Sequence, residues 1–156
     1  MNQHDDPIQP SPLEAHLGFW LRFVSNHVSN RFQQLLEEKG VSVTEWVALR
    51  TLWARDETSH AALIQTLGMT KGAASKVISR LEEKGLAGRQ LLDGRAREQS
   101  LSLSAAGKAL VPQLAALADA NDAHFFGHLP AAERLALTRA MQALVQYHQL
   151  KDIPTA

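Results

Sequence analysis

The sequence predicts a mainly α-helical protein in which a helix-turn-helix runs straight into a single β-hairpin, with long helices at either end. Three observations predict it. Apolar residues recur at three- and four-residue spacing over most of the chain, the period of helices buried on one face. Over residues 59–81 a short helix with small residues (Ala61, Ala62), a glycine turn and a second helix with a polar outer face follow one another. Asp93-Gly94 then stands between residues 86–92 and 98–103, where Ser100, Leu101, Ser102 and Leu103 alternate with period two, and Asp-Gly is a strong hairpin signal.

Each element has its own reason. Residues 1–12 combine Pro7, Pro10 and Pro12 with Asp5 and Asp6 and little apolar content, which describes a loose arm. From Leu13 onward, Leu17, Trp20, Leu21, Val24, Val28, Phe32 and Leu35 mark a helix of roughly 25 residues, and Gly40 stops it. Thr44 is expected to cap the next helix, with Trp46, Val47, Leu49, Leu52 and Trp53 along its apolar side. Ser59 starts a third, short helix through Leu63, Ile64 and Leu67 that ends at Gly68. Thr70 caps the fourth. On a wheel turning about 100° per residue, Ala74, Val77, Ile78 and Leu81 form its buried stripe. The opposite arc holds Gly72, Ser75, Lys76, Ser79, Arg80 and Glu83, and Gly85 ends the helix. The hairpin follows and is the only β-structure expected. Ser104 caps a long helix with Leu110, Leu114, Leu117 and Ala118 on one side. Pro112 lies inside it, where the missing N–H should bend it. Gly127 and Pro130 break the chain before a last helix through Leu137, Met141, Leu144 and Tyr147. Residues 151–156 form a tail, of which Ile153-Pro154-Thr155-Ala156 is expected to fray.

Composition excludes several classes of function. A chain of 156 residues suits one domain with appendages. No run approaches the roughly 18 consecutive apolar residues of a membrane span. The first residues lack the basic and apolar regions of a secretory signal, so the cytoplasm is the expected compartment and no membrane partner is expected. Without cysteine there is no disulfide, thiolate zinc site or thiol redox switch. The balance of 16 basic and 16 acidic residues reads at first against nucleic acid. Its distribution reads the other way. Residues 69–97 carry a net +4, between a net −3 over residues 1–68 and −1 over residues 98–156.

The basic segment coincides with the helix-turn-helix and the hairpin. Gly72, Ser75 and Ser79 keep the outer side of the fourth helix narrow, and a major groove about 12 Å wide accepts a helix only when bulk does not hold it off. Lys71, Lys76 and Arg80 suit phosphates or guanine edges, and Thr70 and Ser75 can donate to phosphates or bases. Arg95 and Arg97 at the hairpin tip have the length to enter a neighbouring minor groove. Asp93, two residues earlier, can brace Arg95 through a charge-assisted hydrogen bond. Ser59, Thr70, Lys71, Gly72, Ser75, Lys76, Ser79, Arg80, Asp93, Arg95 and Arg97 are therefore the candidate DNA-binding residues. Taken singly, a basic helix face or two arginines on a hairpin is more often a solvated surface. It is their succession that points to DNA.

From Val43 to about Glu133 the chain resembles the MarR family of bacterial winged helix-turn-helix regulators. The resemblance rests on residues 43–49 (VTEWVAL), 67–75 (LGMTKGAAS), 80–86 (RLEEKGL), the wing DGRAR at 93–97, LSLSAAG at 101–107 and LPAAE at 129–133. The wing pattern, with its aspartate, arginine and following Leu-Ser-x-x-Gly, is its most specific part. The tip before Asp93 is shorter than in many members.

The resemblance implies a winged helix-turn-helix, residues 41–103, on dimerisation helices, residues 13–40 and 104–150. It implies a homodimer that represses or activates at a double-stranded, pseudo-palindromic operator; repression, released by a small aromatic or phenolic effector, is the expectation. It places Thr70, Lys71, Ser75, Lys76 and Arg80 in the major groove and Arg95 in the minor groove. Trp20, His27, Trp46 and Arg50 are the expected effector lining, offering stacking faces and a cation for a carboxylate; core or dimer-interface packing of both tryptophans is the competing reading. The apolar stripes of the terminal helices independently exceed what one small wing domain covers.

No cofactor or metal is expected. His124 and His128 share a helical face at i and i+4, but only Asp122 stands in register with them and the helix breaks at Gly127. Gly72-Ala73-Ala74-Ser75-Lys76 does not match a phosphate-binding loop. No nucleophile–base pair stands out, so an enzyme is not expected. The rival reading is a winged-fold dimer that binds a ligand or a protein and does not use DNA.

Overall fold

The computed structural model describes residues 7–55, 57–91, 99–151 and 153–155. A single 3-10 turn, Leu13–Ala15, precedes helix α1, Leu17–Glu37. The expected uninterrupted helix from Leu13 is therefore broken, at His16, whose extended backbone ends the turn and starts α1. The Trp20 indole N–H donates to Glu14 O at 2.9 Å and latches the turn to the helix.

Helix α2, Val43–Ala54, is capped by Ser42, whose hydroxyl accepts from Glu45 N at 3.1 Å. Thr44 is not the cap; it sits inside the first turn, and its hydroxyl donates to Thr155 O at 2.8 Å. A short strand β1, Thr58–Ser59, leads into α3, His60–Leu67. Ser59 and Thr70 cap α3 and α4 (Lys71–Glu83) as expected, and Gly68 between them turns the chain at φ 62°. Strands β2, Ala87–Leu91, and β3, Gln99–Leu103, form the hairpin. Ser104 then caps α5, Ala105–Phe126, and Pro130 precedes α6, Ala131–Tyr147. Pro112 lies within an assigned helix that runs on past it.

The hairpin is not the only β-structure. β1 joins it antiparallel, with Thr58 opposite Leu101, to give the order β1-β3-β2. The β2–β3 register runs from Ala87 opposite Leu103 to Leu91 opposite Gln99. The tip residues between them, including the candidate DNA-binding residues Asp93, Arg95 and Arg97, lie outside the described residues.

The core gathers one face of each winged-domain element. Leu49 and Leu52 of α2, Leu63 and Leu67 of α3, and Leu101 of β3 are fully or almost fully buried. So are Val111 and Leu114 of α5. The α4 stripe is the one the sequence predicts: Ala74, Val77, Ile78 and Leu81 are all buried. For α2 the buried face differs from the expected one. It consists of Glu45, Ala48, Leu49 and Leu52, while Trp46 and Val47 are half-buried and Trp53 is exposed. Gly107 fixes where α5 leaves the sheet, since a Cβ there would lie 2.1 Å from Leu86 O.

Outside this core, α1 crosses α5. Arg31 Nη1 donates to Asn121 Oδ1 at 2.9 Å, and the buried Asn121 amide donates to Val28 O at 3.1 Å. The N-terminal half of α1 and all of α6 bury nothing in one chain. Leu17, Trp20, Leu21 and Phe23 of α1, and Leu135, Leu137, Met141, Leu144 and Val145 of α6, are exposed. The tail does not simply fray. Its Thr155 carbonyl meets Thr44, and Ile153 lies beside α2.

Candidate nucleic-acid interface

Helix α4 positions the candidate site. Its apolar stripe faces the core, so its remaining arc must face outward, and Lys71, Gly72, Lys76 and Arg80 are exposed while Ser75 and Ser79 are half-buried. The 13 residues give a rod about 20 Å long at 1.5 Å per residue. Thr70 Oγ1 accepts from Ala73 N at 3.2 Å, and Ser59 Oγ accepts from Ala62 N at 3.1 Å. Both hydroxyls thus act as caps first, and each keeps its own O–H to donate. The first turn of α4 also presents backbone N–H groups at the positive end of the helix dipole, which favours an anion.

Gly72 stands out on this face. A Cβ there would meet nothing within 4 Å, and its backbone is not in the left-handed region. Nothing inside the chain requires glycine, although glycine within a helix costs about 0.5–1 kcal/mol relative to alanine.

The net +4 of the segment is not all displayed. Lys84 Nζ lies 2.6 Å from the buried Glu45 carboxylate, and Arg89 Nε lies 2.6 Å from Glu82 Oε1. Lys71, Lys76 and Arg80 remain as exposed cations along α4. His60, at the start of α3, is a residue that the sequence reading missed. Its Nε2 is buried with no hydrogen-bond partner among the described residues. Burial lowers its pKa below the usual histidine value, the Arg89 and Lys71 charges lower it further, and Glu82 opposes them. Glu45 was also missed; counted from sequence it is one more acidic residue, and only its partner 39 positions away reveals it as internal.

The expected effector lining divides into two groups. Trp46 and Arg50 meet on α2, the guanidinium 5.8 Å from the ring centroid, with Phe32 edge-on to the indole at 6.0 Å. They line an open cleft of about 360 Å³ with Thr51, Arg55, Thr66 and Ile153. Trp20 and His27 belong instead to an aromatic ladder on α1, in which Phe23 stacks on His27 at 5.3 Å and packs against Trp20 at 6.4 Å. His124 packs edge-on against Phe125.

Comparison with known proteins places this geometry. The MarR family model matches residues 41–94, which run from the start of α2 through α4 and β2. Over that segment the chain is similar to the MarR family. An HTH-type transcriptional repressor from Mycobacterium tuberculosis is 28% identical over 131 residues, covering 84% of this chain and 94% of the repressor. Two solved structures share the fold. One is of Bordetella bronchiseptica BpsR, from work on regulation of its DNA binding by 6-hydroxynicotinic acid. It has a TM-score of 0.73 and 22% identity, over 87% of this chain and 97% of that one. The other is a mutant of Escherichia coli MarR complexed with operator DNA, with a TM-score of 0.72 and 18% identity over 83% and 93% of the two chains. The fold shared with these two structures therefore extends beyond the winged domain to most of the chain.

Proposed function

We propose that this protein is a MarR-family regulator, a cytoplasmic homodimeric repressor and not an enzyme, that places one α4 from each subunit in successive major grooves of a near-palindromic operator. The outward face of α4 carries this reading. Three exposed cations flank small residues on a helix whose other face is buried, which is what a helix needs to enter a groove and meet phosphates on both sides. Lys71, Lys76 and Arg80 take phosphates or guanine edges, and Thr70, Ser75, Ser79 and Ser59 donate hydrogen bonds. Gly72 permits close approach, and the wing carries Arg95 and Arg97 with Asp93 as the brace. The operator complex of Escherichia coli MarR supports this use of the fold.

Dimerisation follows from the apolar surface of α1 and α6. A 17-residue helix with no buried residue has little reason to fold alone, since tertiary packing supplies most helix stability. A second copy supplies that packing. The domain division follows: residues 41–103 read DNA, and residues 13–40 and 104–150 dimerise. The Trp46–Arg50 pair is the better half of the effector site, fitted to an aromatic acid by ring face and guanidinium. The regulation of BpsR by 6-hydroxynicotinic acid supports that ligand class.

Selection of bound fragments from genomic DNA with the purified protein tests the reading. Enrichment of a near-palindrome with half-sites roughly 34–36 Å apart is expected. No enrichment over bulk DNA, with retained aromatic-acid binding, would favour a winged-fold ligand-binding dimer.

A further inference from the structure

We propose that Glu45 and Lys84 are a positioning pair, through which the dimerisation helices hold the far end of α4 at a fixed angle for reading DNA; the inference rests on the DNA-binding role proposed above. Glu45 is 3% exposed, yet it is an acid on the buried side of α2. A carboxylate in such a place must be paired. Its partner is Lys84, the residue that closes α4, with Nζ 2.6 Å from Oε2. The same ammonium donates to Gly40 O at 2.7 Å. Gly40, at φ 72°, is the turn between α1 and α2. One cation therefore ties the end of the recognition helix to the end of α1 and the start of α2.

The next two residues tie it to α5. Gly85 O accepts from the Ser104 hydroxyl at 2.6 Å, and Leu86 O accepts from Ser104 N at 3.0 Å. Ser104 is the cap of α5. Residues 84–86 thus collect one bond to the turn after α1, one to α2 and two to the cap of α5. Of the helices that meet at this junction, α1 carries exposed apolar surface along its N-terminal half, while α4 carries the groove face. Backbone and hydroxyl bonds fix the α5 side. On the α1–α2 side, beside the apolar packing of α2 against α4, the polar ties come from the two charged groups in a short, charge-assisted contact. A change in the setting of α1 or α2 reaches α4 through this pair.

The chain has no cysteine, so Ala73→Cys gives one spin label per subunit at the opposite, exposed end of α4. Label-to-label distances in the free dimer and affinities for the selected operator and for random-sequence DNA are measured in wild type, Lys84→Arg and the double variant Glu45→Gln/Lys84→Gln. The double variant leaves no lone buried charge that would unfold the protein. The expected result is a folded double-variant dimer with a broadened distance distribution and at least tenfold weaker operator binding. Its random-sequence affinity stays within twofold of wild type, and Lys84→Arg keeps the wild-type width. A folded double variant with wild-type width and wild-type operator preference overturns the proposal, and one that fails to fold assigns the pair to stability and overturns it too. Absence of operator preference in the wild type refutes the DNA-binding reading instead.

Discussion

Gly72 offers a prediction in which stability and function move in opposite directions. Because a Cβ at this position meets nothing and the backbone suits any residue, Gly72→Ala introduces neither clash nor strain. It should stabilise the folded state by about 0.5–1 kcal/mol. For a chain of this size that is a rise in Tm of roughly 1–4 °C. Binding should respond the other way. A helix with its side chains is about 10–12 Å across and the major groove about 12 Å wide, so a side chain added to the leading face holds the helix off. Gly72→Leu, whose Cβ likewise meets nothing within 4 Å, should weaken operator binding at least tenfold, equivalent to about 1.4 kcal/mol. Thermal unfolding and fluorescence anisotropy with labelled operator at one fixed salt concentration measure both quantities. A Gly72→Leu protein that is folded and binds operator within twofold of wild type would refute the placement of this face in the groove.

Other expectations follow from separate parts of the molecule. Arg95→Ala should weaken operator binding strongly while leaving the dimer folded, as judged by anisotropy and sedimentation; unchanged affinity would remove the wing from the reading. Gly107→Ala should destabilise by about 1–3 kcal/mol or more in denaturant unfolding, because the new methyl overlaps the Leu86 carbonyl. His60 binds protons less readily folded than unfolded, so its contribution to stability is complete above the unfolded pKa of about 6.5 and is lost as pH falls through the lower folded pKa. His60→Gln should therefore lose less stability than wild type between about pH 7 and pH 5, and parallel curves for the two proteins would contradict this.

Much of the fold is visible in local sequence because helix periodicity and caps act within a few residues. The α4 stripe, the Ser59, Thr70 and Ser104 caps, the Gly68 turn and the paired strands all have near neighbours as their cause. What escaped depends on partners far along the chain. Glu45 reads as a solvent-facing acid unless Lys84 is known to lie beside it. Thr44 has the chemistry of a cap, as Ser42 does, and only the position of Thr155 shows where its hydroxyl goes. β1 is two residues long and exists only through β3. In the candidate site, the exposed arc of α4 follows from its period, whereas the division of Trp20 and His27 from Trp46 and Arg50 reflects how α1 crosses the winged domain, which no local pattern records.

The most direct test of the central claim is the affinity of the purified protein for its selected operator against a shuffled duplex of the same length, each measured across a salt series. A sequence-specific regulator should prefer the operator by about 10³-fold or more. Its operator affinity should fall with log salt at a slope of several units, each neutralised phosphate contributing about 0.9. Equal affinity for the two duplexes, or an affinity insensitive to salt, would contradict the account.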